Sequence, residues 1–428
     1  MRLALSKALA GCLAVLSVAT LSACGGTSNN SSNGGASSAS TSTAGKVVEI
    51  YSSLPLRGPE APAAIAVDNG IKLALAQSRG KAGPFMVRYT RLDDSSPGAA
   101  GWDANQTAAN ARKAAADPLA VYYIGEFDDA ASEVSMPILN EAGIAQVSPA
   151  NMYVGLTTSA PGSTSNQPNY APTGTRTYLR IVPSDSVQGA ADLLAMRQVG
   201  CTRVALATDN ESYGTGLAKL IEAQKSFYGV DIVSDAPVDP NTASMHSYAE
   251  MLRRLKADCF MLAAVPTKGA VALTKEVHAL LPTAKIFGPQ DMCTSAWTNP
   301  RDGGVPASID PLIECTSIAQ SLTAYPGGRA FLAAYKAKYA VADPNPYAIF
   351  GYEAMKLALN TIARLGANGD SKSAVLTALF STTNRHSPLG TYSFDRYGDT
   401  TLKSFGLYKV GANGNPVFVK TITPGHVL

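Results

Sequence analysis

The feature that most constrains this chain is an alternation. Short apolar runs at 47–52, 85–92, 119–124, 144–147, 178–182, 203–208, 230–233, 259–265, 284–287 and 312–318 have strand length. Runs with helical spacing separate many of them, at 61–78, 104–116, 130–142, 186–199, 215–228, 247–256 and 268–280. More follow at 328–340, 347–365 and 371–380. A strand without polar alternation is buried on both faces, and a helix between two strands makes them parallel. The pattern predicts an α/β fold whose parallel sheets are covered on both sides. Punctuation supports the boundaries. Asp103 is placed to cap the helix that Asp117-Pro118 stops. Pro137, inside the helix 130–142, removes a hydrogen bond and predicts a kink near Glu133. Ala354, Leu357, Ala358, Thr361, Ile362 and Leu365 form a core stripe. The end of the chain reads as a hairpin, 405–410 and 416–422, turning at 411–415. Residues 153–177 break the rhythm, and a loop of that length is uncommon without a role.

One stretch, Ile124 to Asn151, places a candidate site. It runs strand, loop, helix, turn, strand, loop, with Asp128 and Asp129 where an N-cap belongs and Gly143 ending the helix. Two loops therefore lie at the carboxyl ends of neighbouring strands, where open α/β sheets bind ligands. The helix start at Asp129 to Ser132 directs backbone N–H groups there.

Several segments in order carry a resemblance. They are Ser53-Leu-Pro-Leu-Arg-Gly-Pro59, Leu92-Asp-Asp94, Ile138-Leu-Asn-Glu-Ala-Gly-Ile144, Val147-Ser-Pro-Ala150, Asp209-Asn-Glu-Ser-Tyr-Gly214 and Phe287-Gly-Pro-Gln290. From about Val47 onward the chain resembles the type I periplasmic binding proteins, in particular the leucine/isoleucine/valine-binding receptors of ABC transporters. The resemblance implies two doubly wound parallel-sheet lobes joined by a three-crossover hinge, with the ligand in the cleft between them. Lobe one would be 46–182 with 321–388, and lobe two 183–320 with 389–428.

The resemblance also implies the ligand contacts. Asp129 stands where a serine usually meets the ligand carboxylate, between Asp128 and Ala130. Ala150, Asn151 and Met152 form the second loop, with Met152 replacing a common threonine. Asp185 aligns with a carboxylate that meets the ligand ammonium, and Tyr213 with a tyrosine that closes over the ligand. Val265 and Pro266 end another strand. Gln290 takes the place of a frequent acidic partner, with Asp291 next to it. Plain helix caps and packed loop aromatics are the competing readings of Asp129, Asp185 and Tyr213. The frame matches, yet the amino-acid clamp is altered at three polar positions. A carboxylate ligand beside Asp129 would be repelled.

The first residues address the chain. Arg2 and Lys7 precede an apolar run, Ala8–Thr20, that is too short to span a bilayer. Leu21-Ser-Ala-Cys24 resembles a lipobox, which implies cleavage after residue 23 and a lipid on Cys24. Residues 24–45, almost all Gly, Ser, Thr, Asn and Ala after the cysteine, read as a flexible tether. The expected location is extracytoplasmic, anchored to the cell membrane. Loss of Arg2 and Lys7 takes the net charge from +3 to +1, which disfavours nucleic acid as a partner.

Cys201, Cys259, Cys293 and Cys315 remain for disulfides, and four cysteines allow three pairings. If the strands at 203–208 and 259–265 are parallel neighbours, their starts adjoin. That favours Cys201–Cys259 and leaves Cys293–Cys315. No cysteine or histidine spacing suits a metal, and no cofactor is expected. Gly-x-Ser-x-Gly and His-Glu-x-x-His are absent. Gly214-Thr-Gly216 has Lys219 in place of a third glycine, and Gly366–Ser373 follows a helix, the wrong context for a phosphate loop. The reading is a monomeric binding protein, not an enzyme. It captures a small polar solute, a branched-chain amino acid or related amide, amine or polyol, and delivers it to an ABC permease. The alternative is a sensing module of the same fold that signals to a membrane partner. Replacing Cys24 by Ser should move the protein from the membrane to the soluble fraction on cell fractionation; unchanged partition would count against the lipobox.

Overall fold

Strand β1 (Val47–Leu54) is buried along nearly its whole length, so it can only be an interior strand. It pairs in parallel with β3 (Phe85–Asp93) on one side and β4 (Ala120–Ile124) on the other. β5 (Ala145–Ser148) and β6 (Tyr178–Arg180) continue the sheet, and the short β2 (Lys81–Ala82) closes its other edge antiparallel. This is a computed structural model that describes residues 46–98, 101–163, 167–238 and 245–428. The expected export segment, Cys24 and the tether lie outside the described residues.

The second sheet contains β7 (Arg203–Thr208), β8 (Asp231–Ser234), β9 (Cys259–Ala263), β10 (Lys285–Gly288) and β11 (Ile313–Ser317), all parallel. A small hairpin, β12 (Arg385–Ser387) with β13 (Gly390–Tyr392), stands apart. β14 (Phe405–Val410) and β15 (Pro416–Ile422) then complete the order β15-β14-β11-β10-β9-β7-β8. The inner strands are parallel as expected, and the terminal hairpin adds two antiparallel strands at one edge. Parallel entry would need a crossover connection, usually a helix, and β14 and β15 are joined only by a short turn. The fold is α/β with two lobes.

Helices cover the sheets. α1 (Ala61–Gln77), α2 (Ala104–Ala116) and α3 (Asp129–Glu141) belong to the first run, and α3 continues through Pro137. The Asp103 carboxylate accepts from Gln106 N at 2.9 Å and caps α2, a contact typically worth ~1 kcal/mol. α4 (Asp185–Gln198), α5 (Ser212–Tyr228), α6 (His246–Arg254), α7 (Lys268–Leu280) and the single turn α8 (Ser295–Thr298) follow. Then α9 (Gly328–Tyr339), α10 (Ala348–Leu365) and α11 (Lys372–Phe380) return to the first sheet, where α10 packs along α1. The chain therefore crosses after β6, after β11 and after β13. No described helix is long and apolar enough to cross a membrane.

Two interactions fix this frame. Where α1 meets α10, a Cβ on Gly70 would strike the Ala348 carbonyl, and one on Gly351 the Val67 carbonyl. Glycine at both positions lets the backbones touch. In the second sheet, Cys201–Cys259 and Cys293–Cys315 are disulfides with Cα separations of 5.7 and 5.4 Å. Cys259 pairs in register with Val204 on β7, so the strand starts do adjoin. Gly70→Ala should separate the two helices and lower stability by about 1–3 kcal/mol. A urea unfolding midpoint equal to wild type would show that the helices do not meet so closely.

Candidate functional site

The carboxyl ends of both sets of parallel strands surround one cavity of about 590 Å³. From the first sheet come Pro59, Glu60 and Ala63 after β1, Phe127, Asp128 and Asp129 after β4, and Ala150 and Met152 after β5. From the second come Tyr213 after β7, Val265 and Pro266 after β9, Gln290, Asp291, Cys293 and Thr294 after β10, and Ser317 on β11. Tyr347, just before α10, completes the wall, its ring 5.3 Å from that of Phe127.

Local packing aims these groups. A Cβ on Gly214 would collide with the Ala263 carbonyl, so only glycine lets α5 start against the end of β9. That start carries Tyr213, whose hydroxyl meets Gln188 Nε2 at 3.1 Å. Asp209 accepts from Val265 N at 3.0 Å and fixes the loop bearing Pro266. Gln290 Oε1 accepts from Ile318 N at 3.0 Å, bracing the β10 loop against the second crossing.

Asp129 neither caps its own helix through its side chain nor stands idle. Its Oδ1 accepts from the backbone N–H groups of Met152 and Tyr153 at 3.0 and 3.1 Å, lacing the two first-sheet loops together. Three residues singled out in the sequence are not on the cavity wall. Ala130 is exposed on α3. Asn151 is fully buried: its Oδ1 accepts from Ser132 Oγ and the Tyr178 hydroxyl, and its Nδ2 donates to Phe127 O. Asp185 is 4% exposed, with N–H donated to Met152 O at 2.8 Å and Oδ1 without a partner. Sequence reasoning missed Glu60, Phe127 and Tyr347. Glu60 directly follows the Ser53–Pro59 segment at a strand end, so the topological rule reaches it. Tyr347 arrives by a crossing, and nothing local announces it.

The wall is acidic. Glu60, Asp128, Asp129 and Asp291 face the cavity, and no Lys, Arg or His is among the described residues lining it. Burial, then the charge of Glu60, pushes the Asp128 carboxyl up to about 9. Burial, then Asp129 and Glu60, takes Asp291 to about 7. Burial takes Asp129 to about 6, opposed by its two backbone donors and by Arg180. Glu60 is raised by burial, a rise that a hydrogen bond with Asp128 opposes. Behind the wall, Asp94 and Glu126 are both fully buried. Burial lifts Asp94 to about 7 and Glu126 well above the carboxylate range. Burial thus favours the neutral, protonated form of each. The one cluster of metal-ligand type among the described residues, Cys201, Asp258 and Cys259, spends its sulfurs in a disulfide.

Two α/β lobes joined by three crossings, with one cavity between the carboxyl ends of their strands, define a hinged binding protein. The chain belongs to the periplasmic binding protein family, whose profile matches residues 49–415. It is similar to the Leu/Ile/Val-binding protein BraC3 of Rhizobium johnstonii, 24% identical over 362 residues, covering 83% of this chain and 89% of that one. A leucine-binding protein of Thermotoga maritima superposes with a TM-score of 0.63 at 22% identity, covering 88% and 99% of the two chains. A solute-binding protein of R. palustris in complex with benzoate gives 0.64 at 19% identity, covering 89% and 98%.

The crowded carboxyls set a pH dependence. Their folded pKa values exceed the unfolded values near ~4, so the folded state binds more protons across the interval up to about 9. Stability from these groups is present at acid pH and is lost as pH rises through that interval. The melting temperature of the ligand-free protein should fall between about pH 5 and about pH 9, and Asp128→Asn should flatten the upper part. A flat wild-type profile in differential scanning calorimetry would count against the crowding.

Proposed function

We propose that this protein is an extracytoplasmic solute receptor of an ABC transporter, tethered through residues 24–45 by lipid on Cys24. It captures a small polar solute between lobe one (46–182 and 321–388) and lobe two (183–320 and 389–428), and presents the closed form to a permease. The observation that carries this reading is the shared cavity: a solute bound there touches both lobes, so binding favours closure about the crossings. Its volume of about 590 Å³ suits a small molecule. The Leu/Ile/Val-binding names of the relatives support an amino acid or related solute. The replacement of the usual hydroxyl groups by Asp129 and Met152 extends the candidates to amides, amines and polyols. Native mass spectrometry of the freshly purified protein should reveal a co-purifying small molecule. Adding that molecule back to stripped protein should reduce the radius of gyration in X-ray scattering. Binding without compaction would sink the receptor reading.

A further inference from the structure

Glu60 and Asp128 face the cavity from the first-sheet side and Asp291 from the second-sheet side. The remaining wall is largely apolar or aromatic. Asp128 Oδ2 is shielded from solvent and has no partner. Asp291 feels the charge of both Asp129 and Glu60, so carboxyls from the two sheets act on one region. The donors on the wall are all neutral, among them the hydroxyls of Thr294, Ser317 and Tyr347 and the Gln290 amide. Asp129 already occupies the Met152 and Tyr153 N–H groups, and the Tyr213 hydroxyl is engaged with Gln188.

We propose that the solute is an organic cation, an amine or amidinium. It would be held between the carboxyls of Glu60 and Asp128 on one side and Asp291 on the other, against the rings of Phe127, Tyr213 and Tyr347. This rests on the receptor reading and names its ligand class. A cation satisfies the Asp128 oxygen that now lacks a donor, and aromatic faces attract it further. It also explains how binding drives closure. Bringing the lobes together moves Asp291 toward Glu60 and Asp128, a crowding relieved either by retained protons or by a positive charge between them. A benzoate or an amino-acid carboxylate placed there adds to the repulsion.

The test uses the full mature protein and ligands of matched shape. Calorimetric titration near pH 8 compares benzamidine with benzoate, and 1,4-diaminobutane and butylamine with leucine. Benzamidine is expected to bind at least about tenfold more tightly than benzoate, and Asp291→Asn to weaken the tightest cation by about tenfold or more. Should Asp291→Asn fail to fold, the wild-type comparison of benzamidine with benzoate decides alone. Tighter binding of benzoate or leucine, or no binding of any cationic probe at millimolar concentration, overturns the cation assignment. If another solute then compacts the protein in scattering, the receptor reading stands. Cation binding without compaction overturns the receptor reading and leaves the ligand class in place.

Discussion

A single guanidinium holds the hinge to the cavity wall. Arg180, at the end of β6, has no solvent exposure. Its Nε donates to Asp399 Oδ1 at 2.6 Å, one terminal nitrogen to Tyr153 O at 2.7 Å, and the other to Thr157 Oγ1 at 2.5 Å. Asp399 belongs to the segment of the third crossing, and its other oxygen accepts from Thr157 Oγ1. A fully buried cation with one partner removed typically costs about 3–5 kcal/mol, so the contacts hold or fail together. The loop 153–157 thereby becomes the common support of two crossings. Its first residue, Tyr153, also donates its N–H to Asp129. Motion at the hinge and the shape of the wall are thus coupled through adjacent backbone atoms.

The fold was legible because it is written in local patterns. Apolar runs without alternation mark β1, β4 and β9, and the Asp103 cap and the terminal hairpin stand close to where sequence spacing puts them. Pieces without a local signature were lost. β2 is two residues long, the β12–β13 hairpin is only partly buried, and the antiparallel seating of β14 on β11 joins segments far apart in the chain. The site follows the same division. Positions at strand ends, such as Asp128, Tyr213 and Asp291, line the cavity, as the topological rule expects. What the sequence left open at Asp129 was decided by packing. Its acceptors reach across to the next loop, a tertiary contact that neither a helix cap nor an aligned hydroxyl would suggest.

The cavity illustrates a conflict between local stability and a binding surface. Like charges crowd a half-buried wall and hold protons there that water would otherwise take. A sequence selected for stability alone would replace Asp128 or Asp291 with neutral groups. Their presence at strand ends, on a frame otherwise satisfied by cystines, caps and close helix packing, concentrates the unfavourable terms where an added molecule can relieve them.

Both cystines lie in the second sheet, and the first sheet has none among the described residues. The two halves therefore respond differently to redox conditions. In a thiol-rich compartment the first sheet keeps all of its cohesion, while the second loses the cross-links at the starts of β7 and β9 and between the β10 loop and β11. Oxidation of the four thiols would tighten one half of an otherwise finished molecule.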